Sequence, residues 1–255
     1  MNIFILFLAV FPVFLLSIYI YHKDKFEKEP FGILVKTFLF GCLSTIPAVL
    51  LEAFLMSFSN VFGNGIVLGS AYHGFVVAGF SEELCKLLLL TFAVWRSRHF
   101  NEYFDGIVYA VYVSLGFACV ENIMYIFQND TMVEILYTGI TRAVRSVPAH
   151  FLFGVAMGYY FALIKFEPEK KFSHIAKTLF VPLALHGTFD TLLFIYSSIS
   201  NERPIIALAL FGLFIFFDIK MWKLGKRKMR NMQMKSELQY LENNATNDNN
   251  NELVH

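Results

Sequence analysis

The sequence predicts an all-α protein, a polytopic bundle of about seven helices that crosses a membrane. Hydrophobic residues make up 56% of the 255 positions and charged residues only 16%, whereas soluble domains carry about 25% charged residues. Apolar runs of about 18 residues or more, which are typical of transmembrane helices, recur along the chain. Lys and Arg are concentrated in every second connection between these runs, as in the cytoplasmic loops of membrane proteins.

The apolar runs define seven predicted spans whose ends are soft by several residues. They cover residues of about 2–21, 33–58, 70–95, 105–128, 149–165, 175–199 and 204–222. If the first span begins outside, the connections that hold most of the Lys and Arg all lie on the cytoplasmic side. We therefore expect a multi-pass membrane protein with its N-terminus outside and its C-terminus in the cytoplasm.

Two segments stand apart from these spans. Segment 130–147 places Glu134, Arg142 and Arg145 among apolar residues at helical spacing, which predicts a short helix in or near the outer interface. If this segment inserts as a re-entrant element, the count rises to eight. Residues 1–223 are predicted to form one membrane-embedded domain. Residues 224–255 turn basic and then Asn-rich, a composition that predicts a disordered cytoplasmic tail.

Ionisable residues inside the spans are the main functional signal, because they are costly in a bilayer and usually mark functional sites. The third to sixth spans contain eight notable polar residues: Glu82, Glu83, Lys86, Glu121, Asn122, His150, His186 and Asp190. At about 1.5 Å of rise per residue, the two histidines, Glu82 and Glu121 lie roughly 17–24 Å from the cytoplasmic ends of their helices. Groups from four helices therefore share one layer, in the outer half of the bilayer.

Helical spacing also pairs several of these residues, since positions four apart share a helix face. Glu82 and Lys86 can neutralise each other, which leaves the second glutamate of the pair without a partner. Asp190 lies four residues after His186 and can orient its imidazole. Glu82 and Lys86 alone could be explained as a buried ion pair that only fixes the register of the helices. Such a pair would not explain the other polar residues of the layer.

The remaining small and polar residues of the spans are predicted to be structural. Gly154 and Gly158 follow His150 at GxxxG spacing, which allows a neighbouring helix to approach closely. Glu52 and Asp218 do not join the pattern of the shared layer. The three cysteines lie inside apolar runs and match neither a disulfide framework nor a metal motif.

Carboxylates and imidazoles in a cavity that admits water can activate that water for hydrolysis. A glutamate can act directly as the general base, or a metal held by His and Glu can lower the pKa of the water. The candidate metal ligands are Glu82, Glu121, His150 and His186. The HExxH zinc motif is absent, and no Ser or Cys has a base at helical spacing.

Two other function classes are compatible with the same residues. Intramembrane Glu, Lys and His are also typical of proton- or cation-coupled transporters. The chain shows no internal repeat, however, and seven spans do not divide into two halves. A non-catalytic membrane binding protein is the other alternative.

Four motifs, each inside a span and in this order, resemble a known family. They are EELCK (82–86), FACVEN (117–122), HFLFG (150–154) and HGTFD (186–190). Together they resemble the PrsW family of bacterial membrane proteases, part of the superfamily of CAAX prenyl endopeptidases and bacteriocin-processing proteases, over about residues 5–222. Glu121 stands where CAAX endopeptidases carry a histidine, so a metal site here would exchange an imidazole for a carboxylate.

The resemblance implies an intramembrane endopeptidase of a bacterial cell membrane. Its substrate would be a membrane-anchored protein, in the best-known case an anti-sigma factor that is cut on the outer side in the first of several cleavages. Its partners would be that substrate and the lipid bilayer, with no nucleic acid. Family members are described both as metalloproteases, which use a divalent metal such as zinc, and as glutamate-type proteases.

The predicted active site therefore combines six catalytic candidates with two supporting residues: Glu82, Glu83, Glu121, His150, His186 and Asp190, supported by Lys86 and Asn122. The attacking water is surrounded by Glu82 or Glu83, by Glu121 of the fourth span and by His150 of the fifth span. The histidine and aspartate of the sixth span stabilise the oxyanion. Lys86 neutralises the spare glutamate, and Asn122 adds a donor. Which of the two adjacent glutamates activates the water stays open at this point.

Overall fold

The computed structural model describes residues 3–62 and 65–252, and within these ranges it contains helices and no strand. The α-helices are α1 (Ile3–Lys23), α2 (Phe31–Met56), α3 (Ser59–Phe62), α4 (Ile66–Ala71), α5 (Ser81–Val94), α6 (Asp105–Phe127), α7 (Met132–Thr141), α8 (Val147–Phe166), α9 (Lys171–Ile199) and α10 (Pro204–Glu252). The π-helical segments Tyr72–Phe80 and Arg142–Ser146 join α4 to α5 and α7 to α8. The 3-10 turn Pro168–Lys170 precedes α9. The predicted all-α class is confirmed.

Six helical stretches of the described chain are long and apolar enough to cross a membrane: Ile5–Lys23, Phe31–Met56, Asp105–Phe127, Met132–Phe166, Pro168–Ile199 and Pro204–Thr246. The remaining predicted span corresponds to residues 66–94, which contain three charged residues and include a π-helical segment. Large apolar side chains such as Phe172, which is 89% exposed, cover the outside of the bundle. This surface is what a polytopic membrane protein presents to lipid.

Helices α6 and α8 form the centre of the bundle, and α1, α2, α5, α9 and α10 surround them. The predicted close approach at the GxxxG glycines occurs between these two central helices. A Cβ atom on Gly158 would lie 2.3 Å from the carbonyl oxygen of Gly106, and one on Gly154 would lie 2.9 Å from Cα of Val111. Because these contacts involve backbone atoms, only glycine allows this spacing. The close packing aligns His150 of α8 with the upper part of α6.

The segment over residues 130–147 differs from the expected separate interfacial helix. Helix α7 continues through Arg142–Ser146 into α8, so that Met132–Phe166 forms one helical stretch. Gly139 packs against Leu8 of α1. The continuation is physically acceptable because the charge of Arg142 is neutralised inside the bundle by Glu121.

The C-terminal segment also differs from the expectation of a disordered tail beginning at residue 224. Helix α10 runs without interruption to Glu252, so the predicted domain boundary at 223 falls inside a helix; residues 253–255 lie outside the described residues. Met229 and Met232 are buried. The hydroxyl of Ser236 accepts a hydrogen bond of 2.9 Å from the backbone N–H of Phe104. Packing therefore orders a stretch whose composition alone predicts disorder.

A cluster of buried carboxyl groups joins the α1–α2 connection to the α5–α6 connection. Its members are Asp24, Glu29, Glu102 and Asp105, all at most 5% exposed. Asp24 pairs with Glu102 and Glu29 pairs with Asp105. The backbone N–H of Glu102 donates to Oδ2 of Asp105 over 2.7 Å. Burial raises the pKa of Glu102 to about 8 and that of Glu29 to about 7, so these groups hold protons near neutral pH.

Replacing Gly158 with alanine should destabilise the bundle by about 1–3 kcal/mol, the usual cost of overpacking a core. The added Cβ would overlap backbone atoms of Gly106 and Ile107, which cannot move without separating α6 from α8. Thermal unfolding in detergent measures the effect. Gly212→Ala is the matched control, because its Cβ would meet nothing within 4 Å. Equal stability of the two variants would contradict the close packing.

The buried carboxyl cluster should make the protein less stable as pH rises. Its folded-state pKa values are raised above the ordinary values, so the folded chain binds more protons than the unfolded chain between about pH 4 and pH 8. Unfolding then releases protons, and rising pH favours it. Of the nearby charged residues, Glu27 raises the pKa of Asp24 and Lys28 lowers it, so their effects oppose each other.

Glu102→Gln should therefore raise the unfolding midpoint at pH 8 and leave it nearly unchanged at pH 5, since the amide stays neutral at both values. Thermal unfolding of both proteins over this pH range measures the difference. Glu169→Gln, at an exposed position of the α8–α9 connection, is the control. A difference in unfolding midpoint between Glu102→Gln and the wild type that does not depend on pH would contradict the raised pKa of Glu102.

Candidate active site

The ammonium group of Lys86 lies at the centre of the polar layer, and its side chain is only 1% exposed. Its Nζ is 2.7 Å from Oε1 of Glu83, 3.1 Å from Oε2 of Glu82 and 3.3 Å from Nδ1 of His150. An ammonium group can only donate hydrogen bonds. Nδ1 of His150 must therefore accept, which places the imidazole proton on Nε2. Sequence spacing alone predicted a contact between Lys86 and Glu82. In the structure, Lys86 contacts both glutamates of its helix.

Glu121 lies on the other side of the same histidine. Its Oε2 atom is 2.8 Å from Nε2 of His150 and 2.7 Å from Nη2 of Arg142. Nε of Arg142 donates to Oδ1 of Asn122 over 2.7 Å, and Nδ2 of Asn122 donates to the carbonyl of Ala9 on α1 over 3.0 Å. Asn122 thus holds the arginine and anchors α1, and its predicted role as an additional donor in the active site stays a prediction.

Arg142 is one of the residues of this site that sequence reasoning missed. Segment 130–147 was predicted to lie at the interface, which would keep its charges near water. The available signal was a basic residue in an apolar segment directly before the helix that carries His150.

His186 completes the layer from α9. Its Nδ1 is 2.9 Å from Oε1 of Glu83, and its Nε2 is 3.2 Å from Oδ2 of Asp190 and 3.9 Å from Oε2 of Glu82. The ring stacks on Phe153 with a centroid distance of 4.6 Å. Both ring nitrogens therefore face carboxylate oxygens, and the predicted orientation of His186 by Asp190 is present in the structure.

Local irregularities in three helices bring these side chains to one level. The π-helical segments Tyr72–Phe80 and Arg142–Ser146 end just before the paired glutamates and just before α8, and π-bulges are common at functional sites. Pro182 interrupts the hydrogen bonding of α9 one turn before its histidine. A Cβ on Gly187 would lie 2.3 Å from the ring of Phe75, so a glycine is needed where α9 meets the first π-helical segment.

A cavity of about 340 Å³ opens beside these groups. Its polar lining consists mainly of seven ionisable residues: Glu52, Glu82, Glu121, Arg142, His150, His186 and Asp190. Five of the six predicted catalytic candidates are among them. Glu83 lies behind the lining, fully buried. Glu52, which we expected to be structural, faces the cavity with the others.

The charges of the site leave an excess of carboxylates. Glu52, Glu82, Glu121 and Asp190 line the cavity and Glu83 lies behind them, whereas the residues of this part of the described chain that can carry positive charge are Lys86, Arg142 and the two histidines. Carboxylates in a desolvated site need protons or bound cations to offset their charge. The site is therefore suited to hold a cation.

The donor atoms also fit a divalent metal. One oxygen each of Glu82 and Glu83 and one nitrogen of His150 lie within 4.8 Å of one another, and zinc takes nitrogen and oxygen ligands of these types. Of the four predicted ligands, this group contains Glu82 and His150. Nζ of Lys86 contacts the same three side chains. A metal bound there would have to displace the ammonium group.

Comparison with known proteins identifies the family of the chain. Residues 29–219 match the family described as PrsW family intramembrane metalloprotease. The chain belongs to the PrsW family. Protease PrsW of Clostridioides difficile (strain 630) is 39% identical over 221 residues, which cover 86% of this chain and 89% of that protein. Protease PrsW of Bacillus subtilis (strain 168) is 32% identical over 223 residues, which cover 87% and 92%. No solved structure matches the chain significantly.

Membership of the PrsW family confirms the predicted resemblance and the predicted enzyme class. The chain is a membrane-embedded peptidase with several membrane-spanning helices. These relatives do not support the alternative hypotheses that the chain is a transporter or a non-catalytic binding protein. In this PrsW-family chain, the polar cavity between α5, α6, α8 and α9 is the candidate active site.

Lys86→Met should strengthen zinc binding, because it removes the ammonium group from among the three candidate ligands. Without metal, the variant should lose about 3–5 kcal/mol of stability, the typical cost of breaking a buried ion pair. Zinc should then raise its unfolding midpoint more than that of the wild type.

Zinc titrations of both proteins in detergent, followed by calorimetry and thermal unfolding, measure these effects. Lys36→Met is the control, since Nζ of Lys36 hydrogen-bonds a backbone carbonyl, that of Ala93. Equal zinc affinity of the wild type and Lys86→Met would show that the ammonium group and the metal do not compete.

Proposed function

We propose that this chain is an intramembrane endopeptidase that hydrolyses a membrane-anchored protein substrate, with Glu82 as the residue that activates the attacking water. One observation carries the proposal. Glu82 faces a cavity within the membrane bundle. Its Oε2 atom lies 3.9 Å from Nε2 of His186, and His150 and Glu121 line the same cavity. A general base needs both access to water and a place beside the reacting group.

The surroundings of the two adjacent glutamates support different roles for them. Oε1 of Glu83 contacts both Lys86 and His186, and the residue has no exposed surface. Glu82 makes a longer contact with the ammonium group and lines the cavity. We therefore assign Glu83 to positioning Lys86 and His186, and Glu82 to the water.

These positions support a hydrolysis in which Glu82 is the base. The Glu82 carboxylate accepts a proton from water while the water oxygen bonds to the carbonyl carbon of the scissile peptide. His186, oriented through Nδ1 by Glu83, donates from Nε2 to the developing oxyanion. Glu82 then returns the proton to the amide nitrogen as the carbon–nitrogen bond breaks. His150 and Glu121 keep the neighbouring wall of the cavity polar, and Arg142 holds Glu121 in place.

The residues that would hold a divalent metal are Glu82, Glu83 and His150. Glu82 would then be a metal ligand instead of the base. When bound, such a metal would lower the pKa of a water ligand and polarise the scissile carbonyl. Glu121 would then orient His150 by accepting its Nε2 proton in a hydrogen bond, as carboxylates commonly do beside metal-bound histidines.

The family and the setting of the cavity support the proposed substrate class. Relatives are named Protease PrsW, which supports a protein substrate, and a site between membrane helices favours one that is anchored in the bilayer. We propose an anti-sigma factor, as the family resemblance implies, cut in the outer half of the bacterial cell membrane in the first of several cleavages. The basic connections support an external N-terminus and a cytoplasmic C-terminus.

Glu82→Gln should reduce cleavage by about 10²–10⁴-fold, the usual contribution of a general base. The amide keeps the shape of the side chain but cannot accept the proton from water. The assay is cleavage of candidate single-span substrates by purified protein in proteoliposomes, with and without a chelator. A reaction that stops with chelator would assign a metal-dependent mechanism.

Glu134→Gln, at the exposed N-terminus of α7, is the control and should keep wild-type activity. Glu83→Gln should lower the unfolding midpoint as well as the rate, because Lys86 and His186 both depend on that carboxylate. Full activity of Glu82→Gln at normal expression would refute the assignment.

A further inference from the structure

A second polar pocket lies at the opposite end of the bundle from the cavity, in the region assigned to the cytoplasm. It occupies about 590 Å³ where the end of α8, the start of α9 and the middle of α10 meet. Its charged lining contains five basic residues and one acidic residue: Lys170, Lys177, Arg227, Lys228, Lys235 and Glu167. Glu167 is already paired with Lys235, with 2.6 Å between the charged atoms. The pocket therefore has a strong excess of positive charge.

Lys228 is the most unusual of these residues, because it is only 7% exposed. Its Nζ lies 3.8 Å from the ring centroid of Tyr159 and 4.1 Å from that of Tyr160. Within the described chain, no carboxylate lies within ion-pair distance of this ammonium group. Cation–π contacts offset part of the cost of burying a charge, but a buried charge without an opposite charge is still costly. An anion in the pocket would remove this cost.

A second observation independently indicates a missing hydrogen-bond partner. His174 is only 6% exposed and lines the same pocket, and neither of its ring nitrogens has a hydrogen-bond partner among the described residues. Nε2 lies 3.7 Å from Oε2 of Glu167, which is too long for a hydrogen bond. A buried imidazole normally has at least one partner. A bound group with several oxygen atoms would supply it.

We propose that this pocket binds the phosphate group of an anionic phospholipid headgroup. A phosphate diester carries one negative charge and several acceptor oxygens, which match the unpaired Lys228, the exposed Lys177 and Arg227, and the imidazole of His174. The position favours a lipid over a soluble phosphate compound. Basic pockets between transmembrane helices on the cytoplasmic side are typical headgroup sites, and tyrosines are enriched at this level of a membrane protein.

Occupation of the pocket would link three helices. Tyr159 and Tyr160 belong to α8, His174 and Lys177 to α9, and Lys228 to α10. A phosphate between them would hold α10 against the other two helices. The lipid would thus stabilise one end of each of the two helices that carry His150, near the opposite end of α8, and His186, in the middle of α9.

Lipid binding to the purified full-length protein in neutral detergent tests this proposal. Native mass spectrometry and thermal unfolding are followed during titration with phosphatidylglycerol, phosphatidylcholine or inorganic phosphate. Phosphatidylglycerol should bind and raise the unfolding midpoint, whereas phosphatidylcholine should do neither. Lys228→Met should weaken phosphatidylglycerol binding by at least about fivefold, the contribution of a basic residue near a membrane surface.

Lys226→Met is the matched control, since it removes the same charge two residues away at an exposed position outside the pocket. If Lys228→Met does not fold, Lys177→Met and its control Lys171→Met on α9 make the same comparison at exposed positions. Equal losses in the pocket and control variants would overturn the proposal, because they would indicate general surface attraction. Equal binding of both lipids, or an effect of inorganic phosphate that matches that of phosphatidylglycerol, would also overturn it.

Discussion

The arrangement of this membrane bundle depends on one buried ammonium group. Lys86 lies in a helix surrounded by apolar residues and is almost completely shielded, which would be prohibitive for an isolated charge. It is acceptable because Glu82, Glu83 and His150 lie within 3.3 Å of its Nζ. Helix α8 must therefore stay beside α5. Removing both glutamates would leave a buried charge without compensation, so the site and the fold depend on each other.

The contacts of this ammonium group extend through the whole layer. From Lys86, the network passes through His150 to Glu121 and then through Arg142 to Asn122. Asn122 ends the network at the backbone of α1, and a second branch runs from the paired glutamates to α9. Five helices are thus joined by polar contacts at one depth. In a bilayer, where helices gain little from apolar contacts with one another, such contacts have a large share in fixing their positions.

Much of this layer follows from the sequence because helical geometry is simple. A rise of about 1.5 Å per residue fixes the depth of each charged residue once a span is assigned, and a spacing of four residues fixes its face. These two rules are sufficient to bring Glu82, Glu121, His150 and His186 together. They also predict the pairing of His186 with Asp190, because both residues lie on one helix.

Contacts between helices follow less directly from the sequence. Arg142 reaches Glu121 only because α7 leads straight into α8, and nothing in the local sequence distinguishes that continuous helix from a separate interfacial helix. Glu52 faces the cavity because of the way α2 packs, which spacing within α2 does not reveal. The basic stretch of α10 did contain a signal, since Met229 and Met232 recur at helical spacing and both are buried. The prediction of a disordered tail relied on composition and did not use this spacing.

The two adjacent glutamates show how one motif can support both structure and chemistry. Successive helical residues point in different directions, so Glu83 can face Lys86 and His186 while Glu82 borders the cavity. A single glutamate would have to serve both roles, and its commitment to Lys86 would weaken it as a base. The second carboxylate keeps the charge of Lys86 compensated, and in the proposed mechanism the first is then free to exchange a proton with water. The adjacent pair and the lysine that follows are therefore best understood as one unit, in which the buried ion pair leaves the neighbouring carboxylate at the cavity, as the proposed mechanism requires.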